Sequence, residues 1–171
     1  MSTFMQQKFT IATKIFLDDT KVRNILLGNW GKGAWQLLFG VNAGGAVAIN
    51  LRKDVPNYDG SDPNADLVSL VGNVQIAAKK WQHVAVTFDW GKDQSLPSAI
   101  LYVDGQVAGA VSVTPDSSMH KPYTLKPSTY RYLIGAKEDE DVANRGMFSG
   151  QIADFRVYMA ALSAGEVAQL L

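Results

Sequence analysis

The stretch "ILYVDGQVAG", Ile100 to Gly109, decides the fold. Two β-prone runs flank Asp104-Gly105, a dipeptide that supplies the positive φ angles a two-residue type I′ turn requires. The segment therefore reads as a tight antiparallel hairpin. Just upstream, "WQHVAVTFDW" (residues 81–90) alternates so that Val84, Val86 and Phe88 share one side. "KFTIATKIFL" (8–17) does the same with Phe9, Ile11, Ile15 and Leu17. Further strands are expected over 24–29, 35–39, 46–51, 74–77, 130–135 and 148–158, with glycines 28, 31, 33, 40, 44 and 45 punctuating the first hairpins. Only the C-terminus reads as helical. There Ser163 and Glu166 have the spacing of a capping box, and Val167, Leu170 and Leu171 give the short helix an apolar stripe. About ten short strands separated by turn signals predict an all-β, two-sheet antiparallel jelly-roll β-sandwich with a short C-terminal helix.

Length and charge narrow the partners. The 171 residues suit one domain, 1–171, with a sizeable core. Sixteen basic residues balance sixteen acidic ones. That balance argues against nucleic acid, whose binding rests on neutralising many phosphates, and against an anionic membrane surface. The chain has no cysteine, which excludes disulfides and thiolate chemistry. Its opening, "MSTFMQQKFT", lacks the basic then apolar pattern of a signal peptide. No apolar run is long enough for a membrane helix, so no membrane insertion is expected.

Two stretches carry a resemblance to a known family. "KKWQHVAVTFD" followed by "ILYVDGQVAG" resembles the paired central strands of laminin G-like domains in the concanavalin A-like lectin/glucanase superfamily. "YLIGAKE" and "FSGQIADFRVYMAALSAGEVAQLL" resemble the C-terminal strand and helix of its bacterial members. Together with "FTIATKIFLDD", the similarity runs over most of the chain. It departs from the pattern in two places. Related domains usually open with one more strand than this chain has ahead of "FTIATKIFL", and Met159-Ala160 replaces a polar pair before the helix cap. The resemblance implies a non-catalytic module, often carbohydrate-binding, often attached to a glycan-active enzyme, and sometimes holding calcium. It favours an extracellular or cell-surface setting.

Catalysis has little to draw on. Glycoside hydrolysis needs two carboxylates at a fixed separation across the scissile bond. The glucanases of this superfamily carry them in an E-x-D-x-x-E pattern on one strand, which is missing here. The chain has three glutamates: Glu166 belongs to the helix cap, and Glu138 and Glu140 lie in the solvated run "KEDED". Of two histidines, His83 sits within a strand and reads as a structural hydrogen-bonding group. His120 has Ser117 and Ser118 nearby without a nucleophile-elbow pattern. The reading is therefore of a chain that is not an enzyme.

"NYDGSDPNAD" (57–66) has two readings. Asp59, Asp62, Asn64 and Asp66 could supply hard oxygens to calcium, which takes six to eight. The spacing is not that of an EF-hand, and Asp, Asn, Gly and Pro are also simply turn formers. Loop geometry adds an independent expectation. In antiparallel order, the short connections at 18–21, 42–45, 78–79 and 104–105 fall at one end of the sandwich. The long ones, including 53–66, "DWGKDQSLP" (89–97) and 114–129, fall at the other. That rim would bring Trp30, Tyr58, Trp90, Asp93 and Tyr123 near one another as candidate sugar contacts, with Trp90 first among them. Trp35, followed by Leu37 and Phe39, is expected in the core, and Asp154 and Arg156, two apart on a strand, are expected to pair. The alternatives are a protein-interaction module of the same fold, with an exposed apolar patch, and a hydrolase or lyase with an unfamiliar site.

Overall fold

The computed structural model describes residues 8–29, 36–52, 67–89, 99–111, 131–137 and 147–171. They form two antiparallel five-stranded sheets and one short helix. The strands are β1 (Lys8–Leu17), β2 (Asn24–Gly28), β3 (Leu37–Val41), β4 (Ala46–Arg52), β5 (Leu67–Gln75), β6 (Trp81–Asp89), β7 (Ala99–Val103), β8 (Gln106–Val111), β9 (Leu133–Ile134) and β10 (Gly150–Tyr158). The helix α1 spans Ala164–Ala168. One sheet has the order β10-β1-β6-β7-β8 and the other β5-β4-β3-β2-β9. The jelly-roll sandwich expected from the strand spacing is the fold observed.

The core lies between the sheets and follows the period of two. Phe9, Ile11, Ile15 and Leu17 of β1 are fully buried, as are Val84 and Val86 of β6. From the second sheet, Leu37, Phe39, Ile49 and Leu51 meet them. Phe9 stacks on Phe88 with ring centroids 5.2 Å apart. The "DG" hairpin forms as read: Asp104 and Gly105 have φ of 47° and 75°, and Val103 pairs directly with Gln106.

β6 departs from simple alternation, because both of its faces are covered. A second cluster of Ala12, Ala85, Tyr102 and Val167 seals the outer face of the first sheet. Val167 is the buried residue of α1, and the Ser163–Glu166 capping box fixes where that helix starts. Thr10 pins the segment leading into it: its hydroxyl donates to the Ala160 carbonyl at 2.7 Å and accepts from the Leu162 N–H at 2.9 Å. Leu171 does not join the apolar stripe. It is 56% exposed, because α1 ends at Ala168 and the last residue lies past its buried turn.

Candidate functional site

Register fixes which strand ends share a rim. Lys8 pairs with Asp89, Phe88 with Ala99, and Ala99 with Val111. In the second sheet Gly28 pairs with Leu38 and with Leu133, and Arg52 with Leu67. The β1–β2 turn, 18–23, starts from the opposite end, so these two sets of strand ends lie at the same end of the sandwich. From them leave the connections 30–35, 53–66, 90–98 and 112–130. The expected separation of long and short connections is only partly met: the fifteen-residue connection 135–149 leads into Gly150, which pairs with Leu17 at the short-turn end. Trp30, Tyr58, Trp90, Asp93 and Tyr123, the four calcium candidates Asp59, Asp62, Asn64 and Asp66, and also Trp35, Glu138, Glu140 and His120, all lie outside the described residues. Among the described residues, no group of three His, Cys, Asp or Glu side chains could hold a metal.

The base of one long connection is held by a buried amide clamp. Asn29 Oδ1 accepts from the N–H groups of Gln36 and Leu37 at 3.1 and 2.8 Å. Its Nδ2 donates to Gln36 Oε1 at 3.1 Å, and the Tyr132 hydroxyl donates to the same oxygen. Asn29 and Gln36 are only 1% and 8% exposed, so these bonds are made out of water. Burial also pushes the Tyr132 hydroxyl pKa well above its ordinary value, keeping it a neutral donor. The two ends of segment 30–35 are thereby set at a fixed separation.

The other end is cross-bonded through its short turns. Asp104 accepts from the His83 N–H at 2.8 Å and from Gln82 Nε2 at 3.2 Å. Gln82 Oε1 in turn accepts from the Ala77 N–H at 2.7 Å. Lys79 bridges to Asp18 at 3.0 Å, and Ser149 donates to the same carboxylate at 3.1 Å. These bonds hold the Asp18 carboxyl below its usual range. An aromatic pair sits at this end too: Trp81, 45% exposed, packs against Phe16 with centroids 5.8 Å apart.

His83 is a buried structural residue of β6. Its backbone is bonded to Asp104, but the imidazole Nδ1 is buried with no hydrogen-bond partner. Burial is the main cause of its lowered pKa, and the nearby Lys14 adds to it. Asp154 and Arg156 do pair, through two bonds of 2.7 Å each, on an exposed part of β10 where such a fork contributes little stability.

A feature that sequence reasoning missed lies on the outer face of the second sheet. Arg23, Ile25, Leu38, Gly40, Asn42, Ala48 and Asn50 line a shallow, partly open surface depression. Its apolar floor is buried, with Ile25, Leu38 and Ala48 at 2%, 3% and 4% exposure. Solvent is reached through the polar edge of Arg23, Asn42 and Asn50. Arg23 Nε and Nη2 both donate to Asn42 Oδ1 at 3.1 Å. Gly40 is required where β3 crosses β2, because a Cβ there would stand 2.3 Å from the Asn24 carbonyl oxygen.

Two five-stranded antiparallel sheets, one face capped by a C-terminal helix and three long connections leaving from one end, define a lectin-type jelly roll. The chain belongs to the laminin G-type family of the concanavalin A-like lectin/glucanases superfamily, whose family model matches residues 2–168. No curated protein matches it. Among solved structures it is similar to a Bacteroides ovatus protein whose carbohydrate-binding role is provisional. The identity is 15% and the TM-score 0.67, over 98% of this chain and 42% of that one. This chain therefore spans less than half the length of that relative. It is also similar to the CBM40 of the Ruminococcus gnavus IT-sialidase bound to α2,3-sialyllactose, with 18% identity and a TM-score of 0.60 over 96% of this chain and 83% of that one. A third is domain 4 of a GH43 extracellular arabinanase from Geobacillus stearothermophilus in complex with arabinotriose. There the identity is 12% and the TM-score 0.59, covering 98% and 68% of the two chains. At these identities the likeness is one of fold.

Proposed function

We propose that this protein is a non-catalytic carbohydrate-binding module that takes its ligand at the long-connection rim. The observation that carries the reading is the asymmetry of the sandwich. Short turns at 42–45, 76–80 and 104–105 tie one end together, where 135–149 is the one long connection, while the paired strand ends at the other hold the long connections 53–66, 90–98 and 112–130. Binding residues favour loops held in this way. Trp90, Trp30, Tyr58 and Tyr123 would offer aromatic faces to sugar C–H patches, and Asp93 would take hydroxyl hydrogen bonds. Asp59, Asp62, Asn64 and Asp66 would hold calcium beside them. Relatives of this fold bound to sialyllactose and in complex with arabinotriose favour a sugar as the ligand class.

The experiment is a glycan-binding screen run in millimolar calcium and again in EDTA, with a thermal melt in each. Calcium at 100 times its dissociation constant stabilises the fold by about 2.7 kcal/mol, or roughly 5–11 °C for a domain of this size. A shift of that order, lost in Asp62→Ala, supports the calcium loop; its absence removes calcium from the proposal. Trp90→Ala is expected to weaken the glycan found, and unchanged affinity would overturn the rim. Glycan turnover by the purified chain, abolished by Glu138→Gln, would overturn the non-catalytic reading.

A further inference from the structure

The depression on the outer face of the second sheet bears a preorganised cationic fork. Asn42 Oδ1 takes the Nε and Nη2 hydrogens along one edge of the Arg23 guanidinium. That leaves the opposite Nη1/Nη2 edge, with its two parallel N–H bonds, directed away from Asn42. Among the described residues no carboxylate is paired with Arg23, and its side chain is exposed. Asn42 itself is anchored: it opens the β3–β4 turn, where its N–H donates to the Ala46 carbonyl at 2.8 Å and its carbonyl accepts from Gly45 at 3.0 Å. The Asn50 side-chain amide, further along the same depression, has no protein partner among the described residues.

We infer that this depression is a subsite for the carboxylate group of an acidic glycan, resting on the carbohydrate-binding reading above. A planar carboxylate matches the free fork with two charge-assisted hydrogen bonds. The Asn42 Nδ2 and Asn50 amide groups then face the neighbouring hydroxyls. The floor fixes the site to backbone that cannot shift, since Gly40 and Ala48 belong to paired central strands of the sheet. Arg23 lies beside the short-turn end.

The test offers the full 171-residue protein a glycan panel in matched pairs, each acidic member beside its carboxyl-reduced form, with sulfated glycans included. Binding is read by calorimetry, for wild type, Arg23→Gln and Arg23→Lys, with melts to show that both variants fold. The expected result is binding by acidic members that is lost on carboxyl reduction and falls as salt rises. Arg23→Gln then weakens it by about tenfold or more, as for loss of hydrogen bonds to a charged group. Arg23→Lys should restore only part, because an ammonium lacks the fork. Equal binding of acidic and reduced partners, preference for sulfated members whatever their carboxyls, or full affinity in Arg23→Gln would overturn the subsite and leave the rim standing. Failure of every glycan to bind would overturn the carbohydrate reading and this inference with it.

Discussion

Replacing Asn29 by alanine tests whether the amide clamp holds the base of the rim. The side chain satisfies two backbone donors, the N–H groups of Gln36 and Leu37, at a site 1% exposed. Alanine leaves both donors buried without a partner. Each orphaned group costs about 1–3 kcal/mol, so the pair should cost about 2–6 kcal/mol. Gln36 Oε1 keeps the Tyr132 hydroxyl, so its loss of the Asn29 Nδ2 donor adds little. Against a total stability of about 5–15 kcal/mol, this is a large fraction. Urea denaturation followed by tryptophan fluorescence reads it directly. With a slope of about 2 kcal/mol/M, the midpoint should fall by about 1–3 M while the slope stays constant. Asn29→Asp retains the acceptor for both N–H groups and is expected to lie between wild type and alanine. A loss below about 0.5 kcal/mol in Asn29→Ala, the range of ordinary surface changes, would refute the reasoning.

Three further outcomes are expected. Gly150 has φ of +140°, and a Cβ there would stand 1.9 Å from the Phe16 carbonyl oxygen. Gly150→Ala should therefore prise β10 from β1 at a cost of about 3 kcal/mol, and a melting temperature equal to wild type would contradict this. Ser163→Ala removes the N-cap acceptor of α1 and should cost about 1 kcal/mol, or roughly 2–4 °C in a thermal scan. His83, with its pKa lowered mainly by burial, binds a proton less readily folded than unfolded. Stability should accordingly decline as pH falls from its ordinary value of 6.5 toward the lower folded value, then level off. His83→Gln should flatten that part of the profile. Asp18 and Glu166, both lowered by hydrogen bonds, act at more acidic pH and would leave this window unchanged.

What the sequence revealed depended on whether local chemistry or long-range pairing set the outcome. The Asp104-Gly105 hairpin and the Ser163–Glu166 cap were legible because each is a property of a few adjacent residues. β1 was legible because its alternating face is buried over its whole length. β5 was expected only over 74–77 and runs instead from Leu67 to Gln75. It is an edge strand whose buried residues are Val68 and Leu70, and Gly72 breaks the apolar pattern. That glycine is needed, since a Cβ there would come within 3.2 Å of the Ala108 carbonyl oxygen. The strand expected over 130–135 contracts to Leu133–Ile134, which pairs with β2 alone. β2 itself carries a register shift between Ile25 and Leu27, so that Leu26 and Leu27 both enter the core, a departure no alternation rule anticipates.

The same distinction explains why the Arg23 depression was not legible. Arg23, Asn42 and Asn50 come from the approach to β2, the β3–β4 turn and β4. Only the antiparallel order β2-β3-β4 brings them to one face, and each alone is an unremarked polar residue on a strand or turn. The rim candidates had the opposite character. They were read from residue type within connections, while the scaffold determines only where those connections leave the sheets. Stability and binding should therefore separate in mutagenesis. Changes at the Asn29 clamp or at Gly150 alter the folding midpoint first and binding as a consequence. Changes at Trp90 or Arg23 should leave the midpoint in place and alter ligand affinity alone. A variant of Arg23 that lost stability as well as affinity would mean that its bond to Asn42 serves the β3–β4 turn rather than a ligand, because an exposed, partnerless guanidinium edge contributes nothing to folding.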